Sequence, residues 1–352
     1  MSKPEISSDS EIAAVVEQLT SAVLDKNNAA KFDRKQITEM LTSALQLARD
    51  KPNTLNLKIA NAALTEMREA FAMFAPYTER KKVTIFGSAR TTKDDPLYKL
   101  TEQVAKALAD DGWMVVTGAG PGIMEAGMSG AGREMSIGVS IRLPFETSAN
   151  PIIAGDDKYV SMRYFFTRKL MLVKESHAFI CMPGGFGTLD EMFELLTLLQ
   201  TGKGNPVPLV LLDLPGDPFW SSVDTFVKTS LLPRNLVSES DLALYHVAAG
   251  VTEAVTEISS FYSNYHSMRI VGKKIVLRVK NQVTDSLLRE LNLKFADLCE
   301  SGRIERIEPT SPEISDHDNL DKFRIAFAFA RRDFGRLRSL IDLLNSSSHQ
   351  VS

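Results

Sequence analysis

Cysteine is nearly absent from this chain, with two residues, Cys181 and Cys299, in 352. They make no disulfide framework and no cysteine-based zinc site. Histidine is scarce as well, and His177, His246 and His266 form no H-x-x-x-H or H-E-x-x-H spacing. Each reads as a packing or surface residue, and no metal site is expected. No Ser/His/Asp order can be drawn from these residues either. Excess charge of either sign is missing: the formal net charge is -3, which gives no support for nucleic-acid binding or for a basic membrane surface. No apolar run approaches the roughly 20 residues of a membrane-spanning helix. The opening residues are acidic and polar rather than basic and then apolar, so no signal peptide is visible. With 44% hydrophobic and 24% charged residues, the expectation is a cytoplasmic globular protein with one large core and smaller appendages.

Two glycine signatures are missing too. Gly118-x-Gly120-x-Gly122 lacks the G-x-G-x-x-G spacing, and no acidic residue about 20 positions on ends a second strand. No G-x-x-x-x-G-K-[ST] occurs, which argues against a P-loop ATPase.

What the chain does have is centred on S-H-A-F-I-C-M-P-G-G-F-G-T-L-D-E, Ser176 to Glu191. His177 to Met182 reads as a buried parallel strand. Pro183, Gly184, Gly185 and Gly187 make a turn, and a helix is expected from Thr188. Strand, glycine turn and helix start together suit an anion, usually a phosphate. Thr188-x-x-Glu191 fits a capping box, the commoner use of such a pair. The functional alternative, not exclusive of the first, puts Glu191 beside the ligand, kept ionised by the helix N-terminus.

Residues 1–10 read as disordered, and 1–79 as a helical N-terminal region with three helices and no evident chemistry. From Lys82 strands and helices alternate: strands are expected at 82–86, 113–117, 136–141, 177–182, 207–212 and 242–247, with helices between. This is an α/β pattern, a doubly wound parallel sheet. Its glycine turns at Gly87-Ser88, Gly118 and Gly184 fall at strand ends, where such sheets bind ligands. Three of them on one edge favour a phosphate-bearing ligand, a mononucleotide above all. Arg168 and Lys169 lie on a largely apolar helix before the key strand, so Arg168 is expected at an interface with Glu191 or a phosphate as partner. Residues 80–268 form the expected catalytic domain. Residues 269–352 read as a small C-terminal α+β domain in βαββα order, regulatory, oligomeric or a structural lid.

The string P-G-G-F-G-T-L-D-E (183–191), preceded by R-K (168–169) and T-G-A-G-P-G-I-M-E-A (117–126), resembles the LOG ("lonely guy") family over residues 80–265. The resemblance implies a nucleoside 5'-monophosphate phosphoribohydrolase on a modified Rossmann fold, from a family formerly labelled lysine decarboxylase-like. It implies Arg168 and Glu191 as the catalytic pair. Gly118, Gly120, Gly122, Gly185, Gly187 and Thr188 would hold the ribose phosphate, with Gly87, Ser88, Pro183, Gly184 and Lys169 as further contacts. Gly118-Ala119-Gly120 stands where short plant-type members carry G-G-G, and L-P-F-E-T-S-A-N (143–150) follows the longer bacterial members. AMP is therefore the expected substrate alongside a cytokinin riboside monophosphate. No cofactor is implied, and a homo-oligomer, dimer or higher, is the expected assembly. A non-catalytic nucleotide sensor or carrier is the alternative from another class. A pyridoxal-phosphate lysine decarboxylase lacks an assignable Schiff-base lysine.

Overall fold

The computed structural model describes residues 9–24, 31–143 and 149–346. Residues 144–148, most of the L-P-F-E-T-S-A-N string, and the opening residues 1–8 lie outside them. Two compact units divide between Thr65 and Glu66, fourteen residues before the boundary expected at 79/80. In the first, α1 (Asp9–Leu24) pairs with α2 (Lys31–Arg49). Arg34 meets Glu17 at 2.5 Å and Arg49 meets Asp9 at 2.7 Å. Helix α3 (Thr54–Phe74) begins in the first unit and ends in the second. Its buried residues Glu66, Ala70 and Phe74 recur at one-turn spacing.

The second unit is built on β1 (Lys82–Phe86), α4 (Pro96–Asp110), β2 (Met114–Thr117), α5 (Ile123–Ala131), β3 (Ser136–Ile141), β4 (Tyr159–Met162), α6 (Phe165–Lys174) and β5 (Ala178–Cys181). It continues through α7 (Phe186–Thr201), β6 (Leu209–Asp213), α8 (Phe219–Phe226), β7 (His246–Ala249) and α9 (Val251–Phe261). The seven strands form one sheet in the order β4-β3-β2-β1-β5-β6-β7, parallel at every pairing. Strands β1, β2, β5 and β6 are buried along their whole length, as a parallel sheet with both faces covered requires. Winding reverses between β1 and β5, so the doubly wound fold read from the sequence is the fold observed. Local signals set the helices: Asp95 caps α4, accepting from the Leu97 N–H at 2.8 Å, with Pro96 following at the first helical position.

A second, antiparallel sheet has the order β10-β11-β9-β8. Its elements are β8 (Tyr265–Val271), β9 (Lys274–Val279), α10 (Asp285–Lys294), β10 (Cys299–Arg306), α11 (Ser311–Ser315), β11 (Phe323–Phe329) and α12 (Phe334–Ser346). The expected boundary at 268/269 falls inside β8. One apolar core runs beneath both sheets, from Val83 and Ile85 through Phe261 and Tyr265 to Leu277, Phe327 and Leu340. Asn345 pins the junction: its Oδ1 accepts from the N–H groups of Asn264 (3.1 Å) and Tyr265 (2.8 Å), and its Nδ2 donates to the Phe261 carbonyl. The antiparallel sheet is thus part of the same compact unit as the parallel one, because neither closes its core alone.

Candidate active site

The crevice lies where the winding reverses, beyond the carboxyl ends of β1 and β5, the place where an open α/β sheet leaves room for a ligand. It has a volume of about 920 Å³. Its floor is Gly87-Ser88 after β1 and Pro183-Gly184-Gly185 after β5. One wall is the first turns of α7, and Gly118 and Arg168 line the crevice as well.

Helix α7 starts two residues earlier than the sequence suggested. Gly185 is its N-cap and no side chain caps it, so Thr188 and Glu191 do not form the expected capping box. The N–H groups of the first turn, beginning with Phe186 and Gly187, have no acceptor within the helix. Thr188 and Leu189 turn theirs back to the Gly185 carbonyl at 3.0 and 3.1 Å. A Cβ built on Gly185 or Gly187 would meet nothing within 4 Å. The protein's own packing therefore does not require these glycines; they leave the backbone open to the crevice, with the positive end of the helix dipole behind it.

Glu191 lies one turn deeper and is 5% exposed. Its Oε2 is buried without a hydrogen-bond partner. Arg168 Nη1 stands 3.7 Å from Glu191 Oε1, and Lys169 Nζ 3.8 Å from Oε2. Burial pushes the carboxyl above its ordinary range, outweighing the pull of these two cations. The helix start therefore does not lower this group's pKa as expected: in the second turn the dipole's influence has faded, and desolvation is the largest influence on it. Arg168 is held by a bond from Nε to the Val139 carbonyl at 3.2 Å. Glycine at 118 makes room for it, since a Cβ there would sit 2.5 Å from Arg168 Nη2.

The crevice brings together Gly87, Ser88, Gly118, Arg168, Pro183, Gly184, Gly185, Gly187, Thr188 and Glu191. Gly120, Gly122 and Lys169 are not in its lining. Gly122 has φ +68°, and a Cβ on it would lie 2.4 Å from the Ser88 carbonyl oxygen. Its role is to seat the loop after β2 on the loop after β1, where the Ile123 N–H donates to Ser88 at 3.0 Å. Gly120 faces the Met124 methyl. Lys169 binds Asp190 and Glu194, each at 2.7 Å, and so ties α6 to α7 behind Glu191. The sequence reading missed Arg90, Phe165, Phe186 and Phe219, which line the crevice. Arg90 was within reach of it, two residues beyond Ser88 on the same turn. Phe186, between two glycines and 93% exposed, carried a signal in its position alone.

Comparison with known proteins bears on this geometry. The family described as "Possible lysine decarboxylase" matches residues 121–258. A cytokinin riboside 5'-monophosphate phosphoribohydrolase of Mycobacterium tuberculosis is 30% identical over 135 residues, 37% of this chain and 70% of the relative. The chain belongs to the LOG family. Another LOG relative, the rice protein named cytokinin riboside 5'-monophosphate phosphoribohydrolase LOG, is 29% identical over 170 residues, 46% of this chain and 66% of its own length. The chain spans about half the length of other curated relatives it matches, 44% and 45% for two more from rice. Among solved structures, a molybdenum cofactor carrier protein from Chlamydomonas reinhardtii aligns with 51% of this chain and 97% of its own, at 21% identity and TM-score 0.36. Among the described residues no helix is long and apolar enough to cross a membrane.

Proposed function

We propose that this LOG-family chain hydrolyses the N-glycosidic bond of a nucleoside 5'-monophosphate, releasing the free base and ribose 5-phosphate. The observation that carries the reading is Glu191: a buried carboxylate with one unpartnered oxygen, facing Arg168 across 3.7 Å beside an open helix N-terminus. A site that only bound phosphate would gain nothing from a desolvated carboxylate there, since it repels the ligand's charge.

In the proposed reaction the phosphate rests on the first-turn N–H groups of α7, so that binding energy remote from the reacting bond serves catalysis. The bond from C1' to the base nitrogen lengthens, leaving positive charge on the ribose ring. Glu191 takes a proton from the attacking water and offers negative charge to that ring; its raised pKa makes it a better base than an ordinary carboxylate. The water oxygen bonds C1', and the departing base accepts a proton. Arg168 orients Glu191 and balances the phosphate. The substrates proposed are AMP-like nucleotides, including the cytokinin ribotides for which the relatives are named. The full chain is also proposed to self-associate, through the exposed Phe166 and Leu170 of α6 and Phe193 of α7; light scattering showing a monomer at micromolar concentration would overturn that part.

The main test is chromatographic. Purified protein incubated with AMP, GMP, CMP, UMP and isopentenyl-AMP is expected to release free base from at least one, and Glu191→Gln from none. Nucleotide binding without base release by the parent would favour the sensor or carrier reading instead.

A further inference from the structure

Helix α6 carries Arg168 but starts without a cap of its own. Its N-cap is Tyr164, which makes no side-chain capping bond, and the first N–H groups of any helix lack internal acceptors. Glu66 of α3 does not take up those groups; it fastens the chain on either side of the helix start. Glu66 Oε1 accepts from the Arg163 N–H at 2.7 Å, and Glu66 Oε2 lies 2.6 Å from Thr167 Oγ1. The Thr167 hydroxyl also lies 2.9 Å from the Tyr164 carbonyl. It has one proton to give, and the closer, charged acceptor takes it. A carboxylate at this place also suits the positive end of the α6 dipole.

Glu66 is itself fixed. It is 5% exposed and heads the buried stripe of α3, one and two turns before Ala70 and Phe74, which sit in the core beneath β1 and β5. The chain is thereby clamped at Arg163 and Thr167, and the next residue is Arg168. Arg168 has little latitude: Val139 holds its Nε, its Nη2 fills the space a side chain at 118 would take, and Glu191 faces its Nη1.

We infer that Glu66 is a positioning residue that ties the entry and first turn of α6 to α3 and thereby sets where Arg168 stands against Glu191. The inference rests on the proposed function for what Arg168 does, not for where it is held. It gives the last turns of the N-terminal helical segment a part in catalysis, although Glu66 never touches substrate.

The test compares the parent chain with Glu66→Ala, Thr167→Val and Thr167→Ser, measuring base release, nucleotide affinity and thermal unfolding for each. Glu66→Ala removes the acceptor, and Thr167→Val removes the donor. Both are expected to lower kcat by about tenfold to a hundredfold, the scale of a small misplacement of a catalytic group. KM should stay within about threefold. Thr167→Ser, which keeps the hydroxyl, should restore kcat, and the double variant Glu66→Ala/Thr167→Val should be no worse than the poorer single. A lower melting temperature with kcat unchanged at a temperature where all variants are folded would overturn the inference, leaving Glu66 a packing residue only. Absence of base release from the parent would sink the proposed function alone. Affinity for AMP then decides about Glu66: weakened in both variants and restored in Thr167→Ser supports positioning, and equal affinity overturns it.

Discussion

Glu191 is the residue on which the site's energetics turn. Its carboxyl titrates above its ordinary value of 4.5 because burial penalises the charged form. A group with a raised folded-state pKa gives its full contribution to stability below the unfolded value and loses it as pH rises through the folded one. Glu191→Gln is neutral throughout, so it should melt close to the parent near pH 4 and above it at pH 8. Thermal scans at both values check the sign; a gap that narrows as pH rises would contradict it. The same substitution should lower turnover by roughly 10²- to 10⁴-fold, the usual worth of a general base. Gly118→Ala tests the neighbour. Its Cβ would sit 2.5 Å from Arg168 Nη2 and 2.7 Å from the Met124 sulfur, both on flexible side chains. Activity should fall about a hundredfold with little change in melting temperature, as calorimetry beside base-release kinetics would show. That Arg168 and Glu191 meet in one crevice was legible because their residue types stand in a specific string. Glu66 was not: its bonds join residues 97 and 101 positions apart, and no periodicity reports a tie supplied from another helix.

At the scale of elements, the end of α7 packs on the start of α12. Helix α7 ends at Gly202, φ +67°, with the Lys203 N–H returning to the Leu198 carbonyl at 3.0 Å. A Cβ there would lie 1.9 Å from the Phe334 ring at the start of α12. Gly202→Ala should therefore cost about 3 kcal/mol, from a left-handed backbone penalty of about 1–2 and overpacking of about 1–3. Urea unfolding would measure it, and Phe334→Ala in the same chain should recover part of the loss. Elements were legible where the signal is local: β1 and β3 occupy the expected residues, because short buried runs between turn residues announce themselves. Strand β4, half-buried at the sheet edge, was missed, as was β8, whose Y-H-S-M-R-I-V has no clean alternation and a register shift near Ser267. The helix between β6 and β7 ends at Phe226 and continues as a wider turn over Val227–Leu231. The start of α7 was misplaced because Phe186 and Gly187 look like turn until the N-terminal geometry is seen.

For the molecule as a whole, the shared core means that the second sheet cannot be removed without exposing the first. The outer face of that second sheet is closed by charge. Glu313, fully buried, accepts from Arg278 Nε at 2.8 Å and Arg324 Nε at 3.2 Å, and its other oxygen takes the Thr310 N–H and hydroxyl. Burial alone would raise this carboxyl, but the Thr310 and arginine bonds outweigh it and hold it at about 2. A depressed folded-state pKa gives stability that is present above the ordinary value of 4.5 and lost as pH falls towards about 2. Glu313→Gln removes the charge shared by two buried arginines, of which Arg278 keeps Asp318 and Arg324 keeps backbone carbonyls, and should cost about 1–3 kcal/mol at pH 7, the difference shrinking in acid. Chemical unfolding at pH 7 and pH 3 checks both statements. The division of the chain was the least legible feature, because a core that runs under two sheets leaves no compositional break at residue 268.

Two kinds of atom divide the work in the crevice. The proposed anion would be met by backbone N–H groups of Phe186 and Gly187, which almost no substitution can delete, whereas the proposed bond cleavage depends on one carboxylate and one guanidinium. Mutation should therefore erase the chemistry far more readily than the grip, and a descendant that lost Glu191 would still hold nucleotides. Conversely, a sequence that keeps Glu191 and Arg168 while changing the substrate can alter the aromatic lining, exposed at Phe165 and Phe186 and half-buried at Phe219. The scaffold can drift in specificity, or fall silent as an enzyme, without refolding.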